Sequence, residues 1–390
     1  MTLTRPSSPV LAMRHPERLR DARLLIGATQ EELASSSGVS QAAISMIERG
    51  DRPLSEDVAA AVGHALGLPV EFFEIAPSTI PDAAIDFRKL KTASIKDSNR
   101  ARVLFREAYR AISHLMTDAS YPLPTLPVVQ QRDFPLDDTT IETLAAETRQ
   151  HLQLDLSSPI PNVLRALEHR GIGVTPLVVP GGEEDPLAPV EHFGASHWPS
   201  VHDPAVVGYF PGSAGDRDRF TLSHELGHLV LHTFRPFVPS DVRELESNRF
   251  ASAFLFPLAR ARESLGPTTK LKQLAELKAR WGMSMQAIIM RGKQTGLLSP
   301  DHASSLFRQI SARGWRKSEP VQVAHESPML VRTLLERKYG SRAFTSLDVE
   351  RELALPIGII KSLAPGASRV DQAESRDNVT YARFGSSSRS

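Results

Sequence analysis

The stretch from Phe220 to His232, FTLSHELGHLVLH, carries histidines at positions 224, 228 and 232, with Glu225 directly after the first. Residues four apart lie one turn apart on a helix and share a face. His224 and His228 can therefore offer two imidazole nitrogens to one tetrahedral metal ion. Glu225 is rotated about 100° from His224, beside the position a water would take on that ion. A carboxylate there can accept the water's proton, which is the chemistry of metal-assisted hydrolysis. Leucines, a valine and Phe220 surround these groups, so the helix reads as buried, and Pro236 ends it. Ionisable groups in such a helix are costly unless paired, and a metal supplies a partner.

His232 stands about 12 Å along the axis from His224, too far to share an ion with it. It reads as a histidine of the core or one that supports the ligands from behind. The third ligand must come from another element. Arg243 to Pro257, RELESNRFASAFLFP, predicts a helix with Leu245, Phe250, Ala253 and Phe254 inward. Glu244 and Asn248 share one face of it. That pair suits one carboxylate on the metal and one amide on a ligand histidine. Glu246 competes with Glu244 but points about 200° away from it. The chain has no cysteine, so a metal site must use nitrogen and oxygen ligands.

The elements around these residues predict a mixed domain over 136–299. Helical patterns at Ile141–Leu152 and Ile160–Arg170 precede strand candidates at Gly173–Val179, Phe193–Trp198 and Ala205–Phe210, and helices return after Gly215. The last of these strands is the candidate edge for pairing with an extended peptide. Tyr209, His197 and His202 are the candidates for stabilising a developing oxyanion, each with a structural role as its plainer reading. Residues 300–370 read as helical, and the small, polar stretch 371–390 as a disordered tail.

A second grammar stands near the N-terminus. Thr29 and Glu32 form a capping box, Gly38 permits a tight turn, and Ser40 caps a further helix whose Ile44 and Ile47 face inward. Two short helices joined by such a turn make a helix-turn-helix, whose second helix enters the major groove. Gln41 suits an adenine edge, Ser45 any base, and Ala42 a thymine methyl. The pattern Thr29-Gln30, Leu33-Ala34, Gly38-Val39-Ser40, Ile44, Ile47-Glu48-Arg49-Gly50 and Pro53 resembles the Cro/C1-type (XRE) DNA-binding family. The resemblance implies phosphate contacts from Gln30 and Arg49, and base reading by residues 40–45, Ser40 among them. From Met1 to Ile75, seven arginines and no lysine oppose ten acidic residues. Phosphate neutralisation normally carries DNA affinity, so the module is expected to bind modestly and as a dimer.

Between the two, 76–135 reads as a connector. Its helix carries Arg102, Arg106 and Arg110 at four-residue spacing, with Lys89, Lys91 and Lys96 before it. This stripe reads either as extra phosphate-binding surface or as the solvated face of an amphipathic helix. The stretch SYPLPTLPVVQQRDFP that follows reads as an extended linker.

The pair DRFTLSHELGHLVLH and ELESNRFASAFLFP is similar to the ImmA/IrrE family of zincin-like metallo-endopeptidases, a similarity that runs on through RWGMSMQAIIMRGKQTGLLS. It implies zinc, with manganese the second candidate, held by His224, His228 and Glu244, with Glu225 as general base. Phe256 stands where that family usually has Met or Leu, a packing change. The expected whole is a multidomain α+β chain: an all-α helix-turn-helix domain at 15–75, a zincin-like domain at 136–299 and a helical C-terminal region. Its expected partners are operator DNA and a protein substrate, either another transcriptional repressor or this chain's own connector, with the chain acting as a homodimer. The alternative is a non-catalytic or antitoxin-like repressor that keeps the zincin fold as a sensor or scaffold. The net charge of +1 excludes a global field for nucleic acid or membrane. With no apolar run of about 18 residues and no signal-peptide pattern, a cytoplasmic chain is expected.

Overall fold

The computed structural model describes residues 13–82, 85, 95–178, 194–212 and 214–366, and the backbone of 379–380. The N-terminal unit holds α1 (Glu17–Ile26), α2 (Gln30–Ser37), α3 (Gln41–Glu48) and α4 (Glu56–Leu66), followed by a single turn at Val70–Phe73. Thr29 and Glu32 form the capping box, each side chain accepting the other residue's backbone N–H. Gly38 takes the left-handed conformation that the turn requires, at φ 72°, and Ser40 caps α3. Arg23 clamps α1 to the end of α3 through two bonds to Glu48, of 2.6 and 2.7 Å. Leu33, Ile44 and Ile47 fill the centre.

The connector helix α5 (Ile95–Asp118) is an internal pillar. Arg18 of α1 is buried, stacks 3.8 Å over the Phe72 ring and pairs with the buried Glu107 of α5 at 2.5 Å. Glu107 also accepts from Arg110 at 2.9 Å, and Arg110 donates to the carbonyl of Leu353 at 2.5 Å. Arg106 donates to the carbonyl of Ile80 and to Asp82, and Arg102 to Asn99. The expected stripe is thus largely consumed by internal bonds, and it is neither a free phosphate-binding surface nor a solvated face. Lys96 is exposed on the first turn; Lys89 and Lys91 lie outside the described residues.

The mixed part begins with α6 (Asp138–His151), α7 (Val163–Glu168), β1 (Ile172–Pro176), β2 (Gly194–His197) and β3 (Ala205–Tyr209). Val179 and Phe193, expected at strand ends, lie outside the described residues. The sheet runs β1-β3-β2, with β1 parallel and β2 antiparallel to β3. The strand expected at the edge, β3, is therefore central, and β1 and β2 are the two edge strands among the described residues. Then follow α8 (Gly215–His232), α9 (Ser240–Leu255), α10 (Leu258–Ser264), α11 (Leu271–Trp281), α12 (Met285–Gln294) and α13 (Pro300–Ala312). One apolar core joins α6 to α13 with one face of the sheet. Leu245, expected inward, is exposed, because α9 turns Glu244 and Glu246 toward α8 instead.

The chain closes with β4 (Gln322–Val323), α14 (Leu330–Tyr339), α15 (Leu347–Leu353), α16 (Ile357–Leu363) and β5 (Val379–Thr380). Helices α14 to α16 share a second core with the N-terminal unit and α5. Within the tail expected to be disordered, β5 pairs with β4, and the rest lies outside the described residues. Residues 121–137 have no regular structure, as an extended linker should, yet they are packed. Leu126, Val129 and Leu136 are buried, and Arg235 holds the carbonyls of Gln131 and Asp133 at 2.9 and 2.6 Å. The segment is a strap laid against the mixed core.

Candidate metal centre and recognition helix

Helices α8 and α9 pack along each other, and the small residue at 227 sets how closely. A β-carbon on Gly227 would stand 3.1 Å from the Phe250 ring and 3.2 Å from the Cα of Ser247. The close approach brings Glu244 across to the two histidines of α8. Nε2 of His224 and Nε2 of His228 are 3.0 Å apart, and the Glu244 carboxylate lies 3.4 Å from each. All three residues offer a ligand atom to one point.

The outer bonds fix which ring nitrogens carry protons. Glu246 is ionised and fully buried, so His232 donates to it through Nε2, at 3.0 Å. Nδ1 of His232 is then an acceptor, and Nδ1 of His228 donates to it at 3.1 Å. Nδ1 of His224 donates to Oδ1 of Asn248 at 3.0 Å. In their neutral forms both rings turn an Nε2 lone pair on each other and on a carboxylate, a set suited to a cation. Two ligands about 2.1 Å from a tetrahedral ion stand about 3.4 Å apart, close to the observed triangle. The donors fit a zinc-type ion.

Burial holds the His228 imidazole down to about 3, and that of His232 to about 4, so both stay neutral, as a candidate ligand and its hydrogen-bond partner would need to be. Burial opposes it, but Glu244, Glu225 and Asn248 together raise His224. Burial likewise works against Glu244, and the two histidines outweigh it, holding that carboxyl far below its usual range. Glu246, which the sequence offered only as a rival ligand, instead accepts from His232, from Arg235 at 2.9 Å and from the backbone N–H of Leu136 at 2.7 Å. The relay from His228 thus ends on the strap.

Glu225 follows His224 on α8 and points to β2. Ser196 Oγ donates to it at 2.8 Å. A β-carbon at Gly194 would lie 2.6–2.8 Å from the same carboxyl group, so only glycine fits there. Burial pushes the Glu225 carboxyl up to about 7, against the pull of His224 and Ser196. A group poised there can both take up and return a proton near neutral pH.

The site opens into a cleft of about 500 Å³ between β2 and the two helices, with Pro81 on its rim. Ala195, Ser196, His197 and Trp198 of edge strand β2 and its continuation line one wall. Among the oxyanion candidates, His197 lines this wall with its ring 4.9 Å from Tyr109. Tyr209 is buried within the sheet and His202 is exposed; neither lines the cleft. Sequence reasoning missed Gly194, Ser196 and Arg235. The first two lie about thirty residues before Glu225, in a short strand without a motif. The third looked like an ordinary arginine beside a proline.

In the N-terminal unit, Ser40, Gln41 and Ala42 are exposed at the start of α3, where base contacts would be made, and Ser45 is half-buried. Arg49 donates to Ser45 Oγ at 2.6 Å and to Asp51 at 2.8 Å, and Gln30 donates to Glu48 at 2.9 Å. The two residues expected at phosphates thus hold partners within the chain.

These two sites define a protein with a DNA-reading type of module and a His-His-Glu centre on a zincin-like pair of helices. Residues 19–73 match the helix-turn-helix family model, and residues 196–293 match the model of the IrrE N-terminal-like domain, a peptidase family. The chain thus joins an XRE-type helix-turn-helix to an ImmA/IrrE-like domain. No curated protein matches the chain. Among the described residues, no helix is long and apolar enough to cross a membrane.

Proposed function

We propose that the chain is a DNA-binding regulator that also hydrolyses a peptide bond in a regulatory protein. The observation that carries the second part is the convergence of two lone-pair nitrogens and a carboxylate beside a proton-poised Glu225. His224, His228 and Glu244 would hold a divalent ion, zinc first and manganese second. Such an ion supplies Lewis acidity, which activates water and polarises a carbonyl. Glu225 takes the water's proton and returns it to the departing amine, while Ser196 keeps the carboxylate aimed. Asn248 and the His232–Glu246 pair hold the two imidazoles in the ligating tautomer.

An extended substrate would pair with β2, whose outer edge carries no strand among the described residues. Another repressor, or the connector of this chain, is the substrate class that the family resemblance supports. DNA binding is assigned to α3 through Ser40, Gln41, Ala42 and Ser45, with two copies of the chain on one operator and Gln30 and Arg49 released toward phosphates. A direct test incubates wild type and Glu225→Gln, each loaded with zinc or manganese, with candidate repressors. Cleavage by wild type alone, with equal metal content and equal operator binding, is the expected result. Cleavage by neither protein would reduce the chain to a DNA-binding protein with a metal-holding scaffold.

A further inference from the structure

Arg243 opens the helix that supplies Glu244. It is half-buried and lines the cleft. Among the described residues lining the cleft, it is the one arginine or lysine. Its Nε is buried and has no hydrogen-bond partner among the described residues. Nε of Arg219 and of Arg249 is likewise buried without a partner, but neither of those residues lines the cleft. A desolvated donor with no acceptor is unfavourable, and the residue that bears it lines a cleft that, on the peptidase reading, receives a polar chain. The guanidinium is also near enough to act electrostatically on both Glu225 and His232. It lines the same cleft as Glu225 and directly precedes Glu244 in the chain.

We propose that Arg243 is a catalytic residue whose guanidinium binds the carbonyl oxygen of the scissile peptide as that oxygen becomes negative. The assignment rests on the peptidase reading above. As the water oxygen bonds to the carbonyl carbon, the π electrons of the C=O bond move to its oxygen and one water proton moves to Glu225. When the C–N bond breaks, the oxygen returns its electrons to re-form the carbonyl and the proton ends on the amine. Nothing is oxidised or reduced. A fixed cation at the oxygen stabilises the charged stage more than the neutral peptide. Among the described residues lining the cleft there is no tyrosine, and His197, whose imidazole burial pushes down, offers no permanent charge in its place.

The test uses the full-length, metal-loaded chain and a phosphonamidate dipeptide, whose tetrahedral anion imitates the charged stage, alongside the matching uncharged peptide. Calorimetry with Arg243→Ala should show about a hundredfold weaker phosphonamidate binding, with metal content and affinity for the uncharged peptide unchanged. Arg243→Lys should recover part of the loss. Equal phosphonamidate binding by wild type and Arg243→Ala would overturn the assignment. So would parallel weakening toward both probes, which marks a residue that merely shapes the cleft. A wild type that holds metal but binds neither probe would defeat the peptidase reading, and this assignment with it.

Discussion

Glu225 is a carboxyl group kept close to its point of half-protonation by burial, and Ser196 restrains it from rising further. Replacing it by glutamine removes the proton acceptor but keeps the shape and leaves the three ligands intact. Elemental analysis of Glu225→Gln should still find about one metal ion per chain, while peptide hydrolysis falls below detection. The relay behind His228 gives a different signature. Glu246→Gln or His232→Ala lets the His228 ring turn or change tautomer, and metal affinity should fall about ten- to a hundredfold in a competition assay with a chromophoric chelator. The ligands were legible because a helix converts four-residue spacing into adjacency. Glu246 was weighed only as a rival ligand: its rotation away from Glu244 could be read, but what lies on that other side, His232 of α8 and Arg235 in the loop after it, comes from another element. Spacing along one element says nothing about its neighbour.

At the scale of elements, the metal triangle depends on how closely α9 approaches α8. Gly227→Ala carries two opposed effects. Alanine favours an isolated helix over glycine by about 1 kcal/mol, but its methyl meets Phe250 and Ser247 at 3.1–3.2 Å. The helices must part by a few tenths of an ångström, and Glu244 moves with α9. Calorimetric metal titration of this variant should show roughly tenfold weaker binding, with thermal stability of the metal-free protein nearly unchanged. Helices were the best-read elements, since their apolar periodicity is long; α8 and α9 fall where the pattern placed them. The sheet was read less well. All three strands were located, but five residues of alternating or continuous apolar character carry no information on strand order, so β3 was placed at an edge that β2 occupies.

Across the whole molecule, the connector region was the hardest to read. Its composition suggested a basic amphipathic helix and a loose proline-rich link, whereas α5 is buried between the N-terminal unit, the sheet and α14–α16. Tertiary partners more than two hundred residues away, such as the Leu353 carbonyl on Arg110, decide its role. Glu107 is the critical group there. Burial pushes its carboxyl up, but Arg110 and Arg18 outweigh that and hold it ionised. Removing one partner of a buried pair strands the other, a loss of about 3–5 kcal/mol. Glu107→Ala should therefore lower the urea midpoint of the N-terminal transition far more than it lowers metal affinity, as read by fluorescence and chelator competition on the same sample.

The Arg18–Glu107–Arg110 chain also bears on how such proteins are put together. A helix-turn-helix is usually treated as a cassette that recombination can exchange at its borders. Here the cassette carries one half of a lock and the pillar beyond its border carries the other. A chimera joined near residue 75 would leave the buried Glu107 carboxylate with Arg110 as its remaining partner and a foreign helix against it. Grafts that keep α5 together with the reading head should be more stable than those cut before it, because only they retain the Arg18–Glu107 pair.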